Sequence, residues 1–233
     1  MFTLQGVEAC YGASQALYGV DFSMQVGEVV TLLGRNGMGK TTTVRAIMGM
    51  TPATAGSILF EGAEIQNLPS HAIARLGFGL VPEGRQIFPN LTLRENLLAT
   101  AANYSGSDDP YTLDRVLTIF PRLEDRMDNL GNQLSGGEQQ MLAIARALMT
   151  NPKVLILDEA TEGLAPLIRE EIWQGLKLLK SRGESILIID KNLDALMKIA
   201  DHHNIMEKGR VVWSGTSEEL ADDAHLKSRY LGV

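Results

Sequence analysis

The sequence predicts an α/β fold on a mostly parallel sheet, and three features carry that expectation. Four short segments are continuously apolar rather than alternating, the pattern of strands buried on both faces: Val29 to Leu33, "GFGLVP" (77–82), "KVLILDEA" (153–160) and "SILIID" (185–190). Segments of helical spacing separate them, so successive strands run parallel with the connecting helices covering the sheet. Where the first buried strand ends, "LLGRNGMGKTTT" (32–43) sets three glycines beside one lysine at a turn into a helix.

Each element follows in order. "VDFSMQVGEVVTLLG" (20–34) alternates and then turns continuously apolar, an exposed strand leading into a buried one. A helix runs from Lys40 to about Met48. "TPATAGSILFEGAEI" (51–65) gives a turn-rich linker and a short hairpin-like pair around Gly62. Ser70 to Leu76 suits a short helix, and Pro82 ends the second buried strand. From Leu91 to Phe120 the pattern becomes helical and more polar, interrupted by the loop-forming "YSGSDDP" (104–110). Helical spacing continues through Met141, Ile144, Ala145 and Leu148 until Asn151-Pro152 stops it. Ile168, Ile172, Leu176 and Leu179 mark one face of an amphipathic helix closed by Gly183. After the fourth strand another helix runs to about Ala200, His202-His203 reads as a polar turn, and a final hairpin turns at Lys208-Gly209.

Composition limits the function classes. A chain of 233 residues, 45% hydrophobic and 21% charged, builds a sizeable core and does not read as disordered. With 21 basic against 28 acidic side chains the net charge is −7, which argues against a nucleic-acid scaffold. The lone Cys10 forms no internal disulfide, and "MFTLQGVEAC" lacks the pattern of a signal segment, so a cytosolic chain is expected. No apolar run approaches the ~18 residues of a membrane span, so any membrane role needs other chains to do the spanning.

Gly34, Gly39, Lys40 and Thr41 fit G-x-x-x-x-G-K-[ST] in its strand-to-helix setting. Phosphate oxygens need converging backbone N–H donors, and a Cβ at the tightest positions would block their approach. Arg35, Asn36, Gly37 and Thr42 complete that loop. Lys40 neutralises the β- and γ-phosphates of a nucleoside triphosphate, and the Thr41 hydroxyl takes one Mg²⁺ position. Asp158 and Glu159 end a buried strand, where α/β sheets bind ligands. Adjacent carboxylates there are costly without a cation. Asp158 is expected to orient Mg²⁺, and Glu159 to position or deprotonate the attacking water.

The stretch "LSGGEQQ" (134–140) is a second anion-receptive helix start. With the phosphate loop before it and "LILDEA" after it, the whole chain resembles the ATP-binding subunit of ATP-binding cassette (ABC) transporters. That resemblance implies a P-loop nucleotidase fold with a mostly parallel core sheet, an antiparallel β subdomain and an inserted α-helical subdomain. Residues 1–84 and 151–233 would form the core and β subdomain, and 85–150 the helical one. It implies a head-to-tail pair of cassettes, homo- or hetero-dimeric, in which Ser135, Gly136 and Gly137 of one contact the γ-phosphate held by Lys40 of the other. It also implies that Tyr11 stacks on adenine, and that the helical lobe passes motion to two membrane permease subunits.

"LVPEGRQIFPNLTLRENL" (80–97) and "DEATEGLAPLI" (158–168) resemble the shorter cassette of branched-chain amino-acid importers, with the urea and short-amide cassettes as the alternative. A soluble cassette ATPase and a nucleotide-dependent binding module are further alternatives. In this subfamily Glu83 stands where most cassettes carry the glutamine that senses Mg²⁺, and Ala165 where they carry an aspartate. Ala160 replaces a common proline. Lys191 falls at the switch-histidine position; a lysine there contacts the γ-phosphate as a point charge but does not relay a proton as imidazole does. The resemblance further implies a place on the inner face of the plasma membrane, an indirect partnership with a periplasmic binding protein that sets the cargo, and Arg85, Gln86, Phe88 and Pro89 either facing the permease or packing inward.

Overall fold

The computed structural model describes residues 1–231. Two sheets organise them. A six-stranded sheet has the order β10-β9-β3-β8-β7-β6, where β3 is Val29–Leu33, β6 Phe78–Val81, β7 Val154–Asp158, β8 Ile186–Ile189, β9 His202–Glu207 and β10 Arg210–Gly215. Its pairings are parallel except β9 with β10, the expected closing hairpin. A four-stranded antiparallel sheet has the order β2-β1-β4-β5, built from β1 Phe2–Tyr11, β2 Ser14–Met24, β4 Ala53–Phe60 and β5 Ala63–Glu64.

The continuously apolar strands now have their reason. Val29 and Leu33 of β3, Leu155 and Leu157 of β7, and Ile186 and Ile188 of β8 enter one core. Val30 and Leu32, Val154 and Ile156, and Leu187 and Ile189, alternating with them, enter another. Side chains of period two thus divide between two cores on opposite faces of the sheet. Helix α1 (Lys40–Ile47) packs with the antiparallel sheet on one side. Helix α2 (Ser70–Arg75), which precedes β6, buries Ile73 on that same side, and the other side takes the segment between β6 and β7, with α3 (Leu93–Leu98), α4 (Leu113–Ile119) and α5 (Gly136–Leu148). Helix α6 (Pro166–Ser181) covers that face too.

The helical stretch 91–120 divides into α3 and α4 around the expected loop, the irregular chain there extending beyond 104–110. Two elements depart from the sequence pattern. The helix read up to Ala200 is α7, Leu193–Leu196, continued only as turn. The segment after β10 adds α8, Ser217–Asp222, which the pattern did not reveal.

His202-His203 is not a turn; both begin β9, and His203 is fully buried. Its Nδ1 lies 2.7 Å from Thr31 Oγ1 and its Nε2 2.8 Å from Ser217 Oγ. Ser217 gives its hydroxyl proton to Ala200 O at 3.1 Å, so Nε2 donates and Nδ1 accepts from Thr31. Burial, with the charge of His202 beside it, pushes the His203 imidazole down to about 4. The folded value lies below the ordinary 6.5, so the unfolded chain takes up the proton first and stability falls as pH drops from 6.5 toward 4. On the order of 2 kcal/mol should be lost between pH 7 and pH 5 through this group. Thermal melts of the chain and of His203→Gln across that range test it: the acid-side drop should shrink in the variant, and equal slopes would refute the assignment.

Candidate functional site

The loop between β3 and α1 is shaped by glycine. Gly34 sits at φ +137°, and a Cβ there would come 2.4 Å from Met206 O of β9. Gly39 caps α1 in a left-handed conformation at φ +104°. No side chain caps this helix start, so its amides are free for an anion. Lys40, with only 9% of its surface exposed, donates from Nζ to Gly34 O at 2.7 Å and to Arg35 O at 2.9 Å. Burial depresses its ammonium, opposed by the charges of Glu159 and Asp158. The basic head therefore points into the concave side of the loop that the motif defines.

Two acidic groups face it from the end of β7. Asp158 is buried and accepts from Thr41 Oγ1 at 3.3 Å, a pair of hard oxygens of the kind Mg²⁺ takes. Burial raises its carboxyl, and the Thr41 hydrogen bond opposes this. Glu159 holds a left-handed backbone at φ +58° and donates from its amide to Ile189 O at 2.9 Å. Its carboxyl is pushed up to about 7, first by a hydrogen bond with Glu162, then by burial and the Glu162 charge.

Asn36, Gly37, Lys40, Thr41, Glu83 and Glu159 line one cavity of about 570 Å³. Gly39 and Thr42 join them. Tyr11, the last residue of β1, is not among the residues lining that cavity; it is 47% exposed, its hydroxyl 3.5 Å from Thr42 Oγ1. Gly34 and Arg35 are also not among the cavity's lining residues; with Asn36 they line an adjoining pocket shared with Asp190 and Lys191, and Arg35 donates to Ser228 O at 3.4 Å. The sequence reading missed the far wall: Gln15, Ala16 and Tyr18 of β2, with Lys208-Gly209. Tyr18 N donates to Gly209 O at 2.9 Å, and a Cβ on Gly209 would come 2.2 Å from Ala16 O. The only sequence signal for this wall was the Lys208-Gly209 turn; its contact with β2 spans nearly the whole chain.

Ser135, Gly136 and Gly137 do not line that cavity. Ser135 caps α5, accepting from Glu138 N at 3.3 Å while Glu138 Oε2 accepts from Ser135 N at 2.8 Å. A Cβ on Gly137 would come 2.3 Å from Ile168, and one on Gly136 3.0 Å from the Arg85 guanidinium, which also donates to Gln139 Oε1 at 3.2 Å. Arg85 thus faces α5. Phe88 is 41% exposed beneath the Arg146 guanidinium, 4.8 Å from its ring centre, while Gln86 and Pro89 are exposed. Lys191, just beyond β8, is ion-paired with Glu162 and lines a neighbouring cleft with it. Ala160 is buried, and Ala165 precedes α6 as its cap.

A phosphate-ready helix start facing a buried strand-end carboxylate pair defines a nucleotidase of the P-loop type, and the chain belongs to the ABC transporter family, whose model matches residues 17–162. It is an ATPase and the ATP-binding subunit of a transporter. It is 41% identical over 233 residues, all of both chains, to the high-affinity branched-chain amino acid transport ATP-binding protein BraG of Pseudomonas aeruginosa. It is 34% identical to the lipopolysaccharide export system ATP-binding protein LptB of Escherichia coli, over 99% of this chain and 96% of that one. The structure of the dimeric bacterial ABC transporter cassette MJ0796 superposes with a TM-score of 0.79 at 25% identity, over 93% of this chain and 99% of that one. Among the described residues no helix is long and apolar enough to cross a membrane.

Proposed function

We propose that the chain drives import of branched-chain, hydrophobic amino acids, hydrolysing ATP at the Lys40–Glu159 cavity while membrane permease subunits carry the cargo. The full-length 41% identity to BraG carries this reading, ahead of the 34% identity to LptB, an export protein. The loop amides and Lys40 hold the β- and γ-phosphates, with Lys40 exchanging its bonds to Gly34 O and Arg35 O for phosphate oxygens. Tyr11 takes the adenine face. Thr41, Asp158 and Glu83 hold Mg²⁺, which when bound screens the phosphate charge. Glu159 accepts a proton from the attacking water and aims it in line with the leaving group. Ser135, Gly136 and Gly137 of a second cassette close over the γ-phosphate, so ATP joins the pair and hydrolysis releases it. The helical segment 85–150, against the core of 1–84 and 151–233, passes that movement to two permease subunits at the inner face of the plasma membrane. A periplasmic binding protein supplies the cargo.

The test is uptake of labelled leucine and labelled urea by cells that depend on this chain, compared with cells carrying Lys40→Ala. Leucine uptake alone should collapse to background. Collapse of urea uptake alone would move the assignment to the amide importers, and no change in either would overturn both cargo readings.

A further inference from the structure

The β9–β10 turn on the far wall of the cavity carries a lysine where its backbone favours other residues. Glu207 pairs with Arg210, so Lys208 and Gly209 are the two turn residues, and both have positive φ, +48° and +74°. Two-residue hairpins of this kind favour Asn, Asp or Gly at the first position, because few other side chains tolerate a left-handed backbone. Folding does not account for the lysine. Its side chain is exposed and forms no ion pair among the described residues. A residue kept at a disfavoured backbone position without a local partner points to a role outside the turn.

The turn is fixed against the phosphate loop. Gly209 N donates to Met38 O at 3.0 Å and Lys208 N to Met38 Sδ at 3.3 Å, while Tyr18 N donates to Gly209 O at 2.9 Å. A Cβ on Gly39 would come 3.2 Å from Gly209 Cα, so the turn lies against the start of α1. Lys208 therefore lines the cavity between that helix start and the wall of Ala16 and Tyr18. Of the cavity's lining side chains, Glu83 and Glu159 are acidic, Lys40 and Lys208 basic. Lys40 alone would leave acid in excess, a poor receptacle for a polyanion. The smaller pocket that Lys208 also borders, about 120 Å³, is lined by Arg35 and Arg229 as well as Glu207, so cations already outnumber carboxylates there.

We propose that Lys208 is a second cationic ligand of the nucleotide, its ammonium reaching the α-phosphate while Lys40 holds the β- and γ-phosphates. This rests on the reading of the cavity as the ATP site. The turn stands between the helix start, whose amides take the inner phosphates, and β2, which closes the cavity on the side of the sugar and base. The phosphate nearest the sugar is the one within its reach. A lysine suits that place because its ammonium is a compact charge on a flexible stem, with three donors and no fixed fork to align. The α-phosphate is common to ATP and ADP, so the contact strengthens both alike and does not sense hydrolysis.

The test is equilibrium binding of ADP and of a non-hydrolysable ATP analogue, with Mg²⁺, to the full chain and to Lys208→Gln, Lys208→Gly, Lys208→Arg and Lys40→Ala. Lys208→Gln and Lys208→Gly should each weaken both nucleotides by about tenfold, and the gap from the parent chain should narrow at high salt. Lys208→Arg, which keeps the charge, should stay within about threefold. Glycine suits the left-handed turn, so an equal loss in Lys208→Gly assigns the effect to the ammonium and not to the backbone. A loss confined to the ATP analogue would put the ammonium at the γ-phosphate, and a loss in Lys208→Gln but not in Lys208→Gly would put the effect in the turn. Either result, or affinities within about twofold of the parent for both nucleotides, would overturn the proposal. Unchanged affinity in Lys40→Ala would remove the reading of the cavity beneath it; loss in Lys40→Ala with none in the Lys208 variants would remove the second ligand and leave that reading standing.

Discussion

Glu159→Gln is expected to bind ATP with near-normal affinity and to hydrolyse it about 100- to 1000-fold more slowly. Glutamine keeps the size of the side chain and its hydrogen-bonding reach but has no basic oxygen to take a proton from water, and general-base contributions are of that order. The hydrogen bonds of the phosphate cradle do not involve this side chain: Lys40 is anchored on the loop carbonyls of Gly34 and Arg35, and Thr41 on Asp158. The backbone at φ +58° accommodates glutamine as it does glutamate. Single-turnover hydrolysis beside equilibrium binding of a labelled ATP separates the two effects. Hydrolysis at the normal rate would show that the attacking water is activated elsewhere.

The second large effect is at binding itself. Lys40→Ala removes an ammonium set at the bottom of the loop with 9% of its surface exposed, and with it a charged hydrogen bond to phosphate. Such bonds contribute about 1.5–3 kcal/mol, so ATP affinity should fall about ten- to a hundredfold, and transport with it. The helix start at Gly39 and the apolar face of α1, with Val44, Ala46 and Ile47, are untouched, so the variant should still fold. Titration calorimetry with ATP reads the loss. An affinity within twofold of the parent chain would mean that the loop amides alone hold the nucleotide.

The two variants bear on parts of the site that were unequally legible. The cradle and the Asp158-Glu159 pair are contiguous in sequence, so their spacing announces their chemistry before any fold is known. The wall formed by Ala16, Tyr18 and Gly209 is not contiguous, and only the pairing of the β9–β10 turn with β2 creates it. Strand β1 was hidden for a local reason. Phe2 and Leu4 are buried, then Val7 and Ala9, and the shift of phase comes at an irregularity in pairing beside Gly6, which lies at φ +59°. A period-two pattern read across that point cancels. His203 was misread because two adjacent histidines look polar, whereas a neutral imidazole with both nitrogens bonded is at ease in a core.

In the proposed mechanism ATP is held between two cassettes, one contributing Lys40 and the other Ser135, Gly136 and Gly137. Sedimentation of Glu159→Gln with and without ATP tests this, because that variant should hold the nucleotide without consuming it. Addition of ATP should convert a species of 25.4 kDa into one of twice that mass, and a further Ser135→Arg substitution should prevent the conversion while ATP remains bound. A chain that binds ATP and stays at the single mass, or that doubles equally well with Ser135→Arg, would contradict the claim.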